Sequence, residues 1–171
     1  MTGEFNGREV EISVVTNNNK VYRIMLRDAT TSDETSIKIR FNILCQQFLN
    51  NKKYMSTSSS EDYMLSDDEQ ISYEMSVHNK RYEASFFQAD IDTLALQQEA
   101  LAYALSKYSS EELEQMSQEQ QQAVIEDFSM QYFLEKVTKK FVWFMIDEEY
   151  GKFRILMYYD NEYNHANGED L

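Results

Sequence analysis

Proline is absent from this chain of 171 residues, and cysteine, histidine and glycine are scarce, at one, two and four. Each shortage excludes something. Without proline, folding carries no slow prolyl isomerisation. A single cysteine, Cys45, permits no intrachain disulfide, which suits a reducing compartment. One cysteine with two distant histidines cannot assemble a zinc site, so no metal is expected. Gly3, Gly7, Gly151 and Gly168 lie far apart, leaving no glycine-rich strand-to-helix loop to cradle a phosphate. No G-x-S-x-G nucleophile elbow is present either. No cofactor and no catalytic residue are therefore expected.

Positive charge and long apolar runs are also in short supply. Lysine and arginine total 16 against 30 aspartates and glutamates, giving a net charge of −14. The imbalance is concentrated after residue 90, where 6 basic side chains face 16 acidic ones. Such a surface repels phosphate backbones and anionic lipid, so neither a nucleic acid nor a membrane is the expected partner. If there is a partner, it should be a basic protein. No stretch approaches the ~18 apolar residues of a membrane span. The N-terminal MTGEFNGREV has neither the basic region nor the apolar stretch of a signal peptide. Both features favour a cytoplasmic protein, with export after removal of a leader as the alternative.

What is abundant is hydrophobic and aromatic: 42% of residues are apolar, with twelve tyrosines, ten phenylalanines and one tryptophan. That content belongs to a folded chain, and the length fits a single domain over residues 1–171. Val10, Ile12 and Val14 alternate with polar neighbours, the period of a half-buried strand. Asn17, Asn18 and Asn19 offer a turn, and Lys20–Arg27 returns with Tyr22, Ile24 and Leu26 on one face. Thr31 and Glu34 have capping-box spacing ahead of a helix whose apolar face is Ile37, Phe41, Leu44, Cys45 and Phe48, ended by Asn50 and Asn51. Cys45 on that stripe is expected to be a small core hydrophobe.

Residues 56–70 form a small, acidic loop. The alternation of Ile71, Tyr73, Met75 and Val77 predicts a second hairpin over 71–88, with His78 at its turn. A helical section follows. Asp92 is the expected cap of a helix with Leu94, Leu101, Leu105 and Tyr108 on one face, and capping boxes stand at Ser109/Glu112 and Ser117/Gln120. The last helix is expected to run from about Gln118 to Thr138 and to pack across the sheet. Its basic end, Lys136, Lys139 and Lys140, suits a helix C-terminus. A third hairpin joins FVWFMI (Phe141–Ile146) to FRILMYY (Phe153–Tyr159), apolar on both faces and so expected at the centre with cover on two sides. Asp147, Glu148 and Glu149 at its turn read as solvated charges. The order ββ-α-ββ-ααα-ββ specifies an α+β fold: an antiparallel sheet of three hairpins with helices on one face.

Polar functionality concentrates after the last strand, in a polar tail over 161–171. Trp143, Tyr158, Tyr159, Asp160, Asn161, Tyr163 and His165 are the candidate binding residues, because the end of a core strand positions side chains well. Asp160, Glu162 and Asn164 begin like a calcium loop, but the sixth position is His165 and the twelfth is Leu171, where glycine and glutamate are required. The string YYDNEYNHANGEDL resembles the C-termini of uncharacterised Bacteroidetes proteins. The resemblance covers the tail alone and implies a bacterial origin, with no activity attached.

Three functions fit these features. The first is a non-enzymatic, protein-binding domain, in its sharper form an inhibitor or immunity-type protein whose acidic surface masks a basic partner. The second is a small-ligand-binding protein or enzyme with a site near the third hairpin and the tail. The third is a structural subunit or homo-oligomer, signalled by a large exposed apolar patch.

Overall fold

The computed structural model describes residues 1–58, 63–88, 93–133, 135 and 140–163. Its centre is a seven-stranded antiparallel sheet in the order β1-β2-β3-β7-β6-β5-β4, giving the α+β class. Strand β1 (Thr2–Phe5) turns through Asn6 and Gly7, both at positive φ, into β2 (Arg8–Asn17). The second turn uses Asn18 and Asn19, at φ 48° and 61°, before β3 (Lys20–Asp28). Asparagine tolerates this left-handed region better than most residues, so the turn sits where the asparagines are. Strand β1 was not expected, although Asn-Gly is the strongest short hairpin signal.

Helix α1 (Glu34–Asn50) crosses one face of the sheet and supplies the core. Ile37, Phe41, Leu44, Cys45 and Phe48 are all buried, as their spacing requires. They meet Val142, Phe144 and Ile146 of β6 (Phe141–Glu149), Phe153, Ile155 and Met157 of β7 (Lys152–Asp160), and Ala84 and Phe86 of β5 (Glu83–Gln88). The ring of Phe41 meets Phe144 edge-on at 5.3 Å, and Phe48 stacks on Phe86 at 5.0 Å. Such pairs add about 0.5–1.5 kcal/mol each beyond the area they bury. The cap of α1 is Asp33, whose carboxylate accepts the Ser36 N–H at 2.7 Å. Thr31 is not the cap: Asp33 stands closer to the helix at the required spacing, and Glu34 is occupied in accepting the Ile71 N–H at 2.6 Å. Asn51 ends the helix.

The second hairpin is replaced by a helix and one strand. Residues Ile71–His78 form helix α2, closed by Asn79 in the left-handed conformation. The alternating set Ile71, Tyr73, Met75 and Val77 also contains a helical pair: Ile71 and Met75 are four apart and both reach the core. Tyr73 and Val77, 52% and 55% exposed, face outward. The edge position beside β5 goes instead to the three-residue strand β4 (Tyr54–Ser56). His78 ends α2 and bonds Glu74 at 2.8 Å. In the acidic segment, Asp67 and Glu69 lie outside any helix or strand, while Tyr63 is buried.

Helix α3 (Thr93–Lys107), α4 (Ser110–Gln115) and α5 (Gln118–Tyr132) follow. Both expected capping boxes are present, Ser109 with Glu112 and Ser117 with Gln120. The Asp92 cap lies outside the described residues, as do Lys136 and Lys139. Helix α5 does not pack across the sheet: none of its residues is buried, and its partner is α3, through Tyr103 and Phe128 at 5.5 Å. Phe133, just past its end, meets the sheet, edge-on to Phe87 at 5.3 Å.

The third hairpin is central, and α1 covers one of its faces. Along most of β6 and β7 buried residues alternate with half-buried ones. On the second face Trp143 stacks on Tyr158 at 4.1 Å and Phe141 meets Phe87 at 5.1 Å, so among the described residues the half-buried side chains there are covered largely by ring contacts rather than by a helix like α1. Among the described residues, no helix is long and apolar enough to cross a membrane.

Candidate functional site

Strand β7 pairs β3 on one side and β6 on the other, so the end of β7 brings together chain segments more than a hundred residues apart. Arg23 and Asp160 are direct partners across β3 and β7, and their side chains form a two-pronged ion pair at 2.6 and 2.8 Å. The Asp160 carboxylate raises the Arg23 guanidinium pKa by hydrogen bonding, against a smaller opposing effect of burial. Past the strand, the Asn161 N–H donates to the Tyr22 carbonyl and its side-chain amide to the Val21 carbonyl, at 3.2 and 2.8 Å. The Tyr163 ring lies under the Lys20 ammonium, 4.2 Å from nitrogen to centroid. The start of the tail is therefore stitched to the start of β3.

These contacts frame a cleft of about 180 Å³ lined by Val21–Ile24, Tyr54, Gln88, Lys140–Val142 and Tyr159–Asn161. It opens where α1 runs out. The helix covers the sheet as far as Phe48, which meets Tyr54 edge-on at 4.8 Å, and beyond that ring the sheet face emerges. Burial, with a smaller contribution from Tyr54, pushes the Tyr159 hydroxyl pKa well above the usual tyrosine range. Tyr159 is thus a neutral donor at every physiological pH.

Of the seven binding residues expected from sequence, Tyr159, Asp160 and Asn161 line this cleft, whereas Tyr163 packs against Lys20. Trp143 and Tyr158 do not: they stack on one another at 4.1 Å on the opposite face, because strand neighbours of Tyr159 point the other way. His165 lies outside the described residues. Tyr22, Tyr54, Gln88 and Lys140 were missed. They reach the cleft by strand pairing, which leaves no mark in local sequence.

A second feature is the helical unit. Leu94, Leu101 and Leu105, spaced to share one face of α3, are 65%, 60% and 46% exposed. Residues 93–133 carry seven carboxylates and one ammonium, Lys107. That ammonium is tied to Asp127 at 2.6 Å and to the Tyr103 hydroxyl at 2.5 Å. The stripe therefore sits on a strongly negative body.

Among the described residues, no three or more histidine, cysteine, aspartate or glutamate side chains gather closely enough to hold a metal ion. Comparison of the chain with protein-family models, curated proteins and solved structures yields no match.

Proposed function

We propose that this chain is a non-enzymatic protein-binding domain whose acidic helical unit receives a basic partner. The observation that carries this reading is the leucine stripe of α3. Three leucines on one helical face are 46–65% exposed and so forgo part of the roughly 1.5–3 kcal/mol that full burial of each would supply. An apolar stripe on a body charged with one sign has the composition of an interface, with an apolar centre and a polar rim. The charge argues for the partner's sign, since carboxylates outnumber ammonium groups seven to one in this unit and a second copy of it would be repelled. An inhibitor or immunity-type role, masking a basic protein, is the sharper form of the same reading.

The test is retention of partners from lysate on immobilised wild-type chain and on the Leu101→Glu/Leu105→Glu variant, each at low and at high salt. The expected result is a basic protein held by the wild type at low salt, released at high salt, and absent from the variant. A partner that the variant holds as tightly as the wild type, or that ignores salt, would refute the assignment of this surface.

A further inference from the structure

The cleft at the end of β7 combines apolar walls with donors that lack acceptors. Its apolar lining includes Ile24, Val142, Tyr54 and Tyr159. The hydroxyls of Tyr22, Tyr54 and Tyr159 and the side-chain amide of Gln88 make no hydrogen bond among the described residues, although none of these residues is fully exposed. Lys140 lines the same cleft, and its ammonium is in no ion pair among the described residues. By contrast, both prongs of Arg23 are taken up by Asp160, and the Asn161 amide by Val21. The available polar groups are thus hydroxyl and amide donors plus one cation. The Arg23–Asp160 pair is neutral in itself and lies toward Tyr158, the guanidinium 5.3 Å from that ring's centroid, which leaves Lys140 as the charge available to the cleft.

We propose that this cleft is a binding site for a small aromatic carboxylate. The ring would lie against the Tyr54 and Tyr159 side chains over Ile24 and Val142. The carboxylate would accept from the Lys140 ammonium and from a tyrosine hydroxyl. A hydrogen bond to a charged group is stronger than one between neutral groups, so Lys140 dominates orientation. Volume sets the size. The 180 Å³ available is below the range of about 300–1,000 Å³ that holds drug-sized ligands, which selects a compact, single-ring molecule.

The experiment titrates benzoate into the isotopically labelled full chain and follows backbone amide signals, with benzamide as the neutral shape control. The expected result is saturable shifts confined to residues 21–24, 140–142 and 159–161, with a dissociation constant tighter than about 1 mM. Benzamide should bind about ten-fold more weakly, the loss associated with one charge-assisted contact. Lys140→Gln should weaken benzoate by the same factor and leave benzamide unchanged, while Tyr159→Phe weakens both. Lys140 is exposed, so its variant keeps the fold. Absence of saturable shifts, equal affinity for benzoate and benzamide, or shifts elsewhere in the chain would each overturn the proposal. The cleft and the leucine stripe lie on different elements, so Leu101→Glu/Leu105→Glu should bind benzoate as the wild type does.

Discussion

The buried ion pair of Asp28 and Arg40 is the most consequential polar contact in the core, and removing half of it should be the most damaging single change. Both residues are buried, with bonds of 2.6 and 2.5 Å between guanidinium and carboxylate. Asp28 is the last residue of β3, whose pairing with β7 stops one residue short of Ile155. Its carboxylate takes the place of the missing strand by accepting the Ile155 N–H at 3.3 Å. Arg40→Met leaves that carboxylate buried without its counter-charge, a loss of about 3–5 kcal/mol. A slope of about 2 kcal/mol per M in urea turns this into a midpoint drop of roughly 1.5–2.5 M. The double variant Asp28→Leu/Arg40→Met removes both charges and orphans only the Ile155 N–H, costing about 1–3 kcal/mol. The double variant is therefore more stable than the single one. Urea unfolding followed by far-ultraviolet circular dichroism measures all three proteins. A single variant that loses under about 1 kcal/mol, or a double variant no more stable than Arg40→Met, would refute the reasoning.

Two further outcomes are expected. Burial pushes the Cys45 thiol up to about 12, so native protein at pH 8 should not react with a disulfide reagent and should react fully once unfolded; labelling of the folded chain would contradict its placement on the buried face of α1. Hydrogen bonds from Lys80 and then Tyr82 hold the Glu69 carboxyl below its ordinary value of 4.5. Its contribution to stability is complete above that value and is lost as pH falls through the lower native one, because the unfolded chain then binds the proton first. Glu69→Gln should therefore flatten the stability profile below about pH 4.5 and leave its shape at neutral pH unchanged, and identical acid limbs for the two proteins would count against it.

Much of the fold was legible because its causes are local. The α1 stripe from Ile37 to Phe48 repeats with the helical period, and whichever surface it met, those five side chains had to face it together. The asparagine turn at 17–19 and the capping boxes at Ser109 and Ser117 are satisfied within a few residues of themselves. Helix α2 was not legible, since Ile71, Tyr73, Met75 and Val77 satisfy a period of two while Ile71 and Met75 satisfy a helical turn. Eight residues are too few for periodicity to decide, and the Glu34 carboxylate that meets the Ile71 N–H comes from another helix. The candidate site was half legible. A strand ending in Tyr159-Asp160-Asn161 marks a position, but not which neighbours complete it.

By itself, the sequence determined the antiparallel α+β class, the helix that covers the sheet, the central aromatic hairpin and the negative charge concentrated after residue 90. Each follows from short-range periodicity, turn chemistry or composition. Only the tertiary structure decided that β3 joins β7, which placed Tyr22 and Arg23 beside Tyr159 and Asp160. It also decided that Trp143 stacks on Tyr158, and over which strands the end of α1 falls. Strand order and the placing of a helix on a sheet depend on contacts between residues distant in the chain, and no local pattern carries that information.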